Sequence, residues 1–79
     1  MSKEEKSSRR ELGKDRGGKL KEIALADTNT FSERMRAIDL LGELGDEAFD
    51  QLTDVASKGL TYSERMNALD MLEKIVKRG

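Results

Sequence analysis

The chain changes from a polar stretch to regularly spaced apolar residues near residue 19. Met1 and Leu12 are the only large apolar side chains in residues 1–18, so this segment cannot bury enough surface to offset its ordering entropy. From residue 19 onward, apolar residues recur three and four positions apart, the spacing of a helix with one buried face. The pattern therefore predicts a disordered tail over residues 1–18 and a helical domain over residues 19–79.

The helical region contains an internal repeat. Phe-Ser-Glu-Arg-Met at residues 31–35 returns as Tyr-Ser-Glu-Arg-Met at residues 62–66, 31 positions later. The preceding Leu-x-x-Ile-Ala at residues 20–24 likewise returns as Leu-x-x-Val-Ala at residues 52–56. A period of this length is typical of stacked helix-turn-helix units.

Turn and capping residues divide the repeat into helices. Thr30 and Thr61 each stand three residues before a glutamate, which is the capping-box pattern at the start of a helix. Gly45 predicts the end of the first long helix, because glycine adopts the left-handed conformation cheaply. Asp46 then suits the N-cap of the next helix, and Gly59 closes it.

These signals predict helices over roughly residues 19–26, 31–44, 46–58 and 61–77. The first helix is the second half of one unit, the next two form a whole unit, and the last is the first half of another unit. Because the connections are short, successive helices should pack antiparallel. The predicted fold is all-α, a short right-handed α-solenoid-like stack of antiparallel helical hairpins with about two repeats and four helices. Its matched apolar stripes, which should cover each other, are Ala37, Leu41, Leu44, Ala68, Leu72 and Ile75.

Six residues of the first unit follow the spacing of one repeat family, namely Arg34, Ala37, Leu41, Gly42, Gly45 and Asp46. With them the chain resembles HEAT repeats, most closely the short form called the phycobilisome-lyase HEAT-like repeat. In the second unit Arg65, Ala68 and Leu72 match, whereas Glu73 replaces the glycine. The resemblance covers residues 19–79. It implies a stack of about two HEAT-like repeats and no particular activity, because such repeats serve many roles.

The outer flank of the last predicted helix is expected to be partly exposed, because no second helix follows it in this sequence. Met71, Val76 and Leu60 are the apolar residues expected there. Such a flank is either an end cap or a docking surface. The polar residues Glu73, Lys74, Lys77 and Arg78 favour a cap.

Composition narrows the classes of function. The 79 residues include no His, no Cys and no Pro, and 39% are charged. Without His or Cys the usual bases and nucleophiles are missing, and zinc would find only carboxylate ligands. We therefore expect a non-enzymatic protein without a cofactor or metal. No apolar run approaches the ~20 residues that span a bilayer, so we expect a cytoplasmic protein with no membrane partner.

Charge is distributed unevenly along the chain. Residues 1–21 hold eight Lys and Arg against four acids, whereas residues 22–79 hold seven against twelve. The basic arm could contact the phosphates of a nucleic acid, in a mode that weakens steeply with salt. Its interspersed acids and its lack of aromatic residues favour a solubilising tail instead. The candidate phosphate contacts in the arm are Arg9, Arg10, Lys14 and Arg16.

A protein partner is the leading expectation for the helical domain. The second helices of a solenoid form its inner groove, which here carries mainly negative charge and suits a basic peptide or helix. The candidate groove residues are Asp50, Gln51, Asp54 and Lys58. The other candidate partner-binding residues are Phe31, Arg34, Tyr62, Arg65 and Met71.

Each candidate outside the groove also has a structural alternative. The two arginines either tie adjacent units together, for example Arg65 with Asp46 or Asp39, or recognise a partner through the guanidinium fork. The aromatic residues that open the two long helices either pack between units or anchor a partner.

Three functions remain open on these grounds. The leading one is a small adaptor or inhibitor that binds another protein through the HEAT-like groove or the open C-terminal edge. The alternative is a nucleic-acid-associated accessory factor that uses the N-terminal arm. The third is self-association, in which the two copies of a homodimer cover each other's open ends.

Overall fold

The structure, a computed structural model, describes residues 15–78, and this part of the chain contains helices and no β-strand. The all-α prediction is therefore confirmed for these residues. None of their helices is long and apolar enough to cross a membrane. The elements are α1, helical at residues 15–25, α2 (Phe31–Leu44), a 3-10 turn (Gly45–Ala48), α3 (Phe49–Lys58) and α4 (Tyr62–Arg78).

Helix α1 includes residues 15–18, which the sequence analysis placed in the tail. Gly17 explains this difference. It is buried, and a Cβ built on it would lie only 3.1 Å from the side-chain Cδ of Gln51 in α3. The missing side chain lets α1 approach α3 closely, so residues that resemble a linker in the sequence are held in a helix by a tertiary contact. The rest of the predicted tail, residues 1–14, lies outside the described residues.

Helix α2 begins and ends where the sequence predicts. The amide of Glu33 donates to the Thr30 hydroxyl at 3.1 Å, and the amide of Thr30 donates to the Glu33 carboxylate at 2.7 Å. These two bonds form the predicted capping box. At the other end Gly45 has a φ of 65°, in the left-handed region that glycine adopts without a steric penalty.

Helix α3 begins later than predicted. It starts at Phe49, with Ala48 at the N-cap and no capping hydrogen bond from a side chain. The prediction that Asp46 caps this helix is wrong, because the chain passes from α2 directly into the 3-10 turn and Asp46 lies within that turn. Gly59 follows the last residue of α3, as predicted.

The core lies where α4 packs against both α2 and α3, and α1 adds Ala24 to it. All six residues of the predicted apolar stripes belong to this core or pack against its edge. Burial of the stripes is therefore confirmed. The buried apolar side chains are Ala24, Ala37, Ile38, Leu41, Ala48, Leu52, Val55, Ala68 and Ile75.

Helices α2 and α4 approach each other closely at Gly42. A Cβ built on Gly42 would overlap the sulfur of Met71, so a side chain there would force either the Met71 side chain or the two helices to shift. Met71 is therefore partly buried against α2. The prediction that it lies on the open flank of α4 is wrong. Val76 and Leu60 are exposed, as expected.

Candidate docking surface

A buried ion pair joins α2 to α4. The Nε of Arg34 donates to Oε1 of Glu64 at 2.5 Å, and the Nη1 of Arg34 donates to the carbonyl of Asn29. The hydroxyl of Thr61 donates to Oε2 of Glu64, also at 2.5 Å. Glu64 is fully buried and Arg34 is 8% exposed. Arg34 therefore ties one unit to the next and is not available to a partner at the surface.

The surroundings of Glu64 lower the pKa of its carboxyl. Burial alone raises this pKa, but the hydrogen bonds from Arg34 and Thr61 and the charge of Arg34 together bring it below its ordinary value. Glu64 is therefore ionised in the folded protein at neutral pH. Glu33, the equivalent residue of α2, is exposed, and hydrogen bonds from the backbone and side chain of Thr30 lower its pKa.

The stability of the fold should decrease in acid. The folded state lowers the pKa values of Glu33, Asp54 and Glu64. Each group therefore contributes stability above its unfolded pKa, about 4, and loses it as the pH falls through the lower folded value. Urea unfolding as a function of pH measures this effect. An unfolding free energy that stays constant well below about pH 4 would contradict the ionised Glu64.

Arg65 occupies the position in α4 that Arg34 occupies in α2. Its Nη1 donates to the carbonyl of Gly59 at 2.7 Å, so both arginines bond to the loop before their own helix. Among the ion pairs of the described residues, none involves Arg65. The carboxylate contact that Arg34 makes with the following unit is thus missing at Arg65.

The predicted pairing of Arg65 with Asp46 or Asp39 is wrong. Asp39 accepts a hydrogen bond from the Nδ2 of Asn67 at 3.1 Å instead. The reason is the direction of the side chains on α4. Glu64 points to α2, and the next residue along a helix is turned by about 100°, so Arg65 is directed away from Asp39 of α2 and Asp46 of the 3-10 turn.

The predicted groove residues lie beside α1, and α1 contacts two of them, Gln51 and Asp54. The Nζ of Lys21 donates to Oδ2 of Asp54 at 2.9 Å, and this hydrogen bond lowers the pKa of Asp54. Gln51 packs against α1 and is partly buried, whereas Asp50 and Lys58 are exposed. The groove therefore offers a basic peptide less free negative charge than the sequence suggested.

An apolar surface lies on the side of α4 that faces away from the core. Its residues are three or four positions apart, which places them on one side of the helix. Leu72 is partly buried and the others are exposed, Tyr62 by 70% and Val76 by 63%. Asp70, Glu73 and Lys77 line the same shallow depression as Met66, Leu69, Leu72 and Val76. We define the α4 outer face as Tyr62, Met66, Leu69, Leu72 and Val76.

The equivalent positions of α2 are less exposed. Ile38 is fully buried, whereas Leu69, 31 positions later, is 47% exposed. Phe31 is 45% exposed against 70% for Tyr62. Helix α2 lies against α3 and α4, but no element among the described residues lies against the α4 outer face. The same position of the repeat is thus interior in one unit and surface in the next.

Met66 and Leu69 are not among the candidate site residues predicted from the sequence. Both adjoin the stripe of Ala68, Leu72 and Ile75, and helical periodicity shows which residues share a side but not which side is covered. The available signal was the repeat itself, since among residues 15–78 the helices that cover α2 have no counterpart beside α4. Glu64 was missed for another reason. Its position three residues after Thr61 already assigned it to a capping box, so no further role was predicted for it.

The candidates of the basic arm are described only at Arg16. Arg16 is exposed on α1, whereas Arg9, Arg10 and Lys14 lie outside the described residues. In the part of the chain that the structure describes, no group of three or more His, Cys, Asp or Glu side chains is arranged to hold a metal ion. No protein-family profile, curated protein or solved structure matches the chain.

Proposed function

We propose that the chain is a short HEAT-like module, a stack of antiparallel helical hairpins, that acts as a non-enzymatic adaptor or inhibitor by binding another protein. The α4 outer face is its docking surface. The observation that supports this most strongly is the exposure of Leu69 at a position where its repeat equivalent, Ile38, is fully buried. Contiguous exposed apolar side chains with a polar border are typical of protein interfaces.

The spacing of the α4 outer face favours a helical partner. Its residues form a straight apolar row along α4 with charges beside it. An amphipathic helix can cover such a row with its own apolar residues at positions i, i+3, i+4 and i+7. The alternative surface, the groove beside α1, is a weaker candidate because Lys21 already pairs with Asp54 and Gln51 packs against α1.

Replacing Leu69 with aspartate should abolish partner binding and leave the fold intact. Leu69 is half exposed, so the substitution costs little stability, whereas an apolar interface would have to desolvate the new carboxylate. The measurement is affinity capture from a lysate of the cells that make the protein, with tagged wild type and Leu69→Asp compared by mass spectrometry. Circular dichroism checks that the variant is folded.

Ser57→Asp is the matched control, because it adds the same charge at an exposed position of a different helix, α3. It should retain every captured protein. If wild type and Leu69→Asp capture the same proteins in the same amounts, the α4 outer face is not the docking surface.

A further inference from the structure

We propose that the occupant of the α4 outer face is a second copy of this chain, placed head to tail so that its α1 and α2 continue the stack of helices. The proposal rests on the proposed function, because it names the partner of the same face. It is supported by the contacts that successive units already make inside one chain, by the exposed apolar residues on α1, α2 and α4, and by the charges beside them.

One chain contains one complete example of the interface between units. In it, α4 lies against α2 and α3, and contacts join Arg34 to Glu64 and Asp39 to Asn67. Because the sequence repeats after 31 residues, each of these contacts has an equivalent one unit further along. The next set of these contacts would join α4 of one copy to α2 of another.

Helix α1 of the second copy would lie against α4 in the place that α3 takes beside α2. Residues 20–24 of α1 repeat residues 52–56 of α3, so α1 has the sequence of a second helix of a unit. In one chain, α3 follows α2 and packs against it. The α1 of the second copy would pack against α4 in the same way, and its α2 would then lie where the next unit begins.

Helices α1 and α2 also expose apolar residues whose repeat equivalents in α3 and α4 are buried or partly buried. Ile23 of α1 is 41% exposed, whereas its equivalent in α3, Val55, is fully buried. Leu40 of α2 is 42% exposed, whereas its equivalent in α4, Met71, is partly buried against Gly42. Helices α1 and α2 therefore present one half of an interface that the chain forms internally, and the α4 outer face presents the other half.

The buried ion pair has a counterpart between two copies. Arg34 and Glu64 correspond, one unit apart, to Arg65 of one copy and Glu33 of the other. Within the described residues Arg65 has no carboxylate partner, and Glu33 is exposed at the start of α2. Head-to-tail contact would give Arg65 the carboxylate that Arg34 already has.

A second contact within the chain corresponds to a pair of oppositely charged residues between two copies. The hydrogen bond from Asn67 to Asp39 corresponds to a contact between Arg36 of one copy and Asp70 of the other. Both residues are exposed, and neither forms an ion pair within residues 15–78. Arginine in place of asparagine replaces a neutral amide donor to the carboxylate with a cation and so forms an ion pair, which favours this register and steers association.

Glu73 makes the contact between copies weaker than the contact within the chain. It stands at the position of Gly42, where the internal interface has no room for a side chain beside Met71. In the second copy the facing residue is Leu40, which is shorter than methionine, and Glu73 can turn along α4 toward Lys77, 3.8 Å away. The association should therefore depend on protein concentration. Because the interface is heterologous, assembly should continue beyond a dimer.

The test is sedimentation velocity of the purified full-length chain at increasing concentration. We expect the wild-type mass to rise past that of a dimer, and Leu69→Asp to remain a monomer. Arg36→Asp and Asp70→Arg should each raise the dissociation constant about tenfold or more, because like charges then meet. Both residues are exposed, so both variants should fold. Ser57→Asp should associate like wild type.

Mixing the two charge variants in equal amounts tests the contact between residue 36 of one copy and residue 70 of another, whereas growth of the wild-type mass past a dimer separates head-to-tail assembly from a closed symmetric dimer. The altered end of each variant then meets an opposite charge on the other, so association should return to the wild-type level. The double variant R36D/D70R should associate equally well. Failure of the mixture to restore association, or single variants that associate like wild type, would overturn the proposed arrangement.

The proposed function and this inference can fail separately. A wild-type chain that stays monomeric at every concentration overturns the head-to-tail proposal. If such a monomer still captures a different protein through Leu69, the proposed function stands with a foreign partner. If the monomer shows no Leu69-dependent capture, both proposals are wrong.

Discussion

Replacing Arg34 with methionine is expected to destabilise the fold by about 3–5 kcal/mol, because it leaves a buried carboxylate without its cation. Glu64 has no exposed surface, and without Arg34 it retains a side-chain hydrogen bond only from Thr61. Domains of this kind are stable by about 5–15 kcal/mol in total, so the loss is a large fraction of the fold's stability. Urea unfolding followed by circular dichroism at neutral pH measures it.

A double variant separates the unpaired charge from the lost packing. R34M/E64L should regain most of the stability, because apolar residues of similar size replace both members of the pair and no buried charge remains. The deficit of Arg34→Met should also shrink in acid. Without the cation, burial raises the pKa of Glu64, so the folded variant takes up a proton and its disadvantage is lost as the pH falls through that raised value. If Arg34→Met is as stable as wild type at neutral pH, the ion pair does not hold the units together.

Replacing Leu41 with alanine is expected to cost about 2–5 kcal/mol, because the substitution leaves a cavity among side chains that can relax only partly. Leu41 is fully buried in α2, and this small chain has few other buried side chains of its size. Each kcal/mol corresponds to about 4–8 °C in Tm for a domain of this length. Thermal unfolding therefore reveals the effect directly, and the variant is at risk of being unfolded at physiological temperature.

The neighbouring residue provides a matched control. Leu40→Ala makes the same chemical change one position earlier in the same helix, but Leu40 is 42% exposed. We expect it to cost less than about 1 kcal/mol, because half of the side chain already contacts water. Equal losses for the two variants would show that the two sides of α2 have been assigned wrongly.

The two arginines show how one repeated segment can serve two purposes. Arg34 and Arg65 stand in identical Ser-Glu-Arg-Met sequences and both bond to the loop before their helix. Within residues 15–78, only Arg34 has a following helix beside it, and that helix supplies the Glu64 carboxylate. Leu69 differs from Ile38 for the same reason. The same repeated position is therefore buried in α2 and exposed in α4.

The sequence alone was sufficient to predict most of the local structure of the described residues. Thr30 and Glu33 predicted the start of α2 and Gly45 predicted its end, because capping and left-handed turns depend on residues within about four positions of each other. The spacing of apolar residues also identified Leu41 and Ala68 as buried. These predictions succeed because a helix brings residues i and i+4 together whatever the rest of the chain does.

Contacts between distant segments were decided only by the tertiary structure. Arg34 meets Glu64 across 30 positions, and Gly17 is helical because α3 lies against it. The exposure of Leu69 depends on which helix covers α4, and the apolar spacing of α4 is the same whether or not a helix lies there. Periodicity reports the direction in which a side chain points, whereas burial also depends on what stands in that direction.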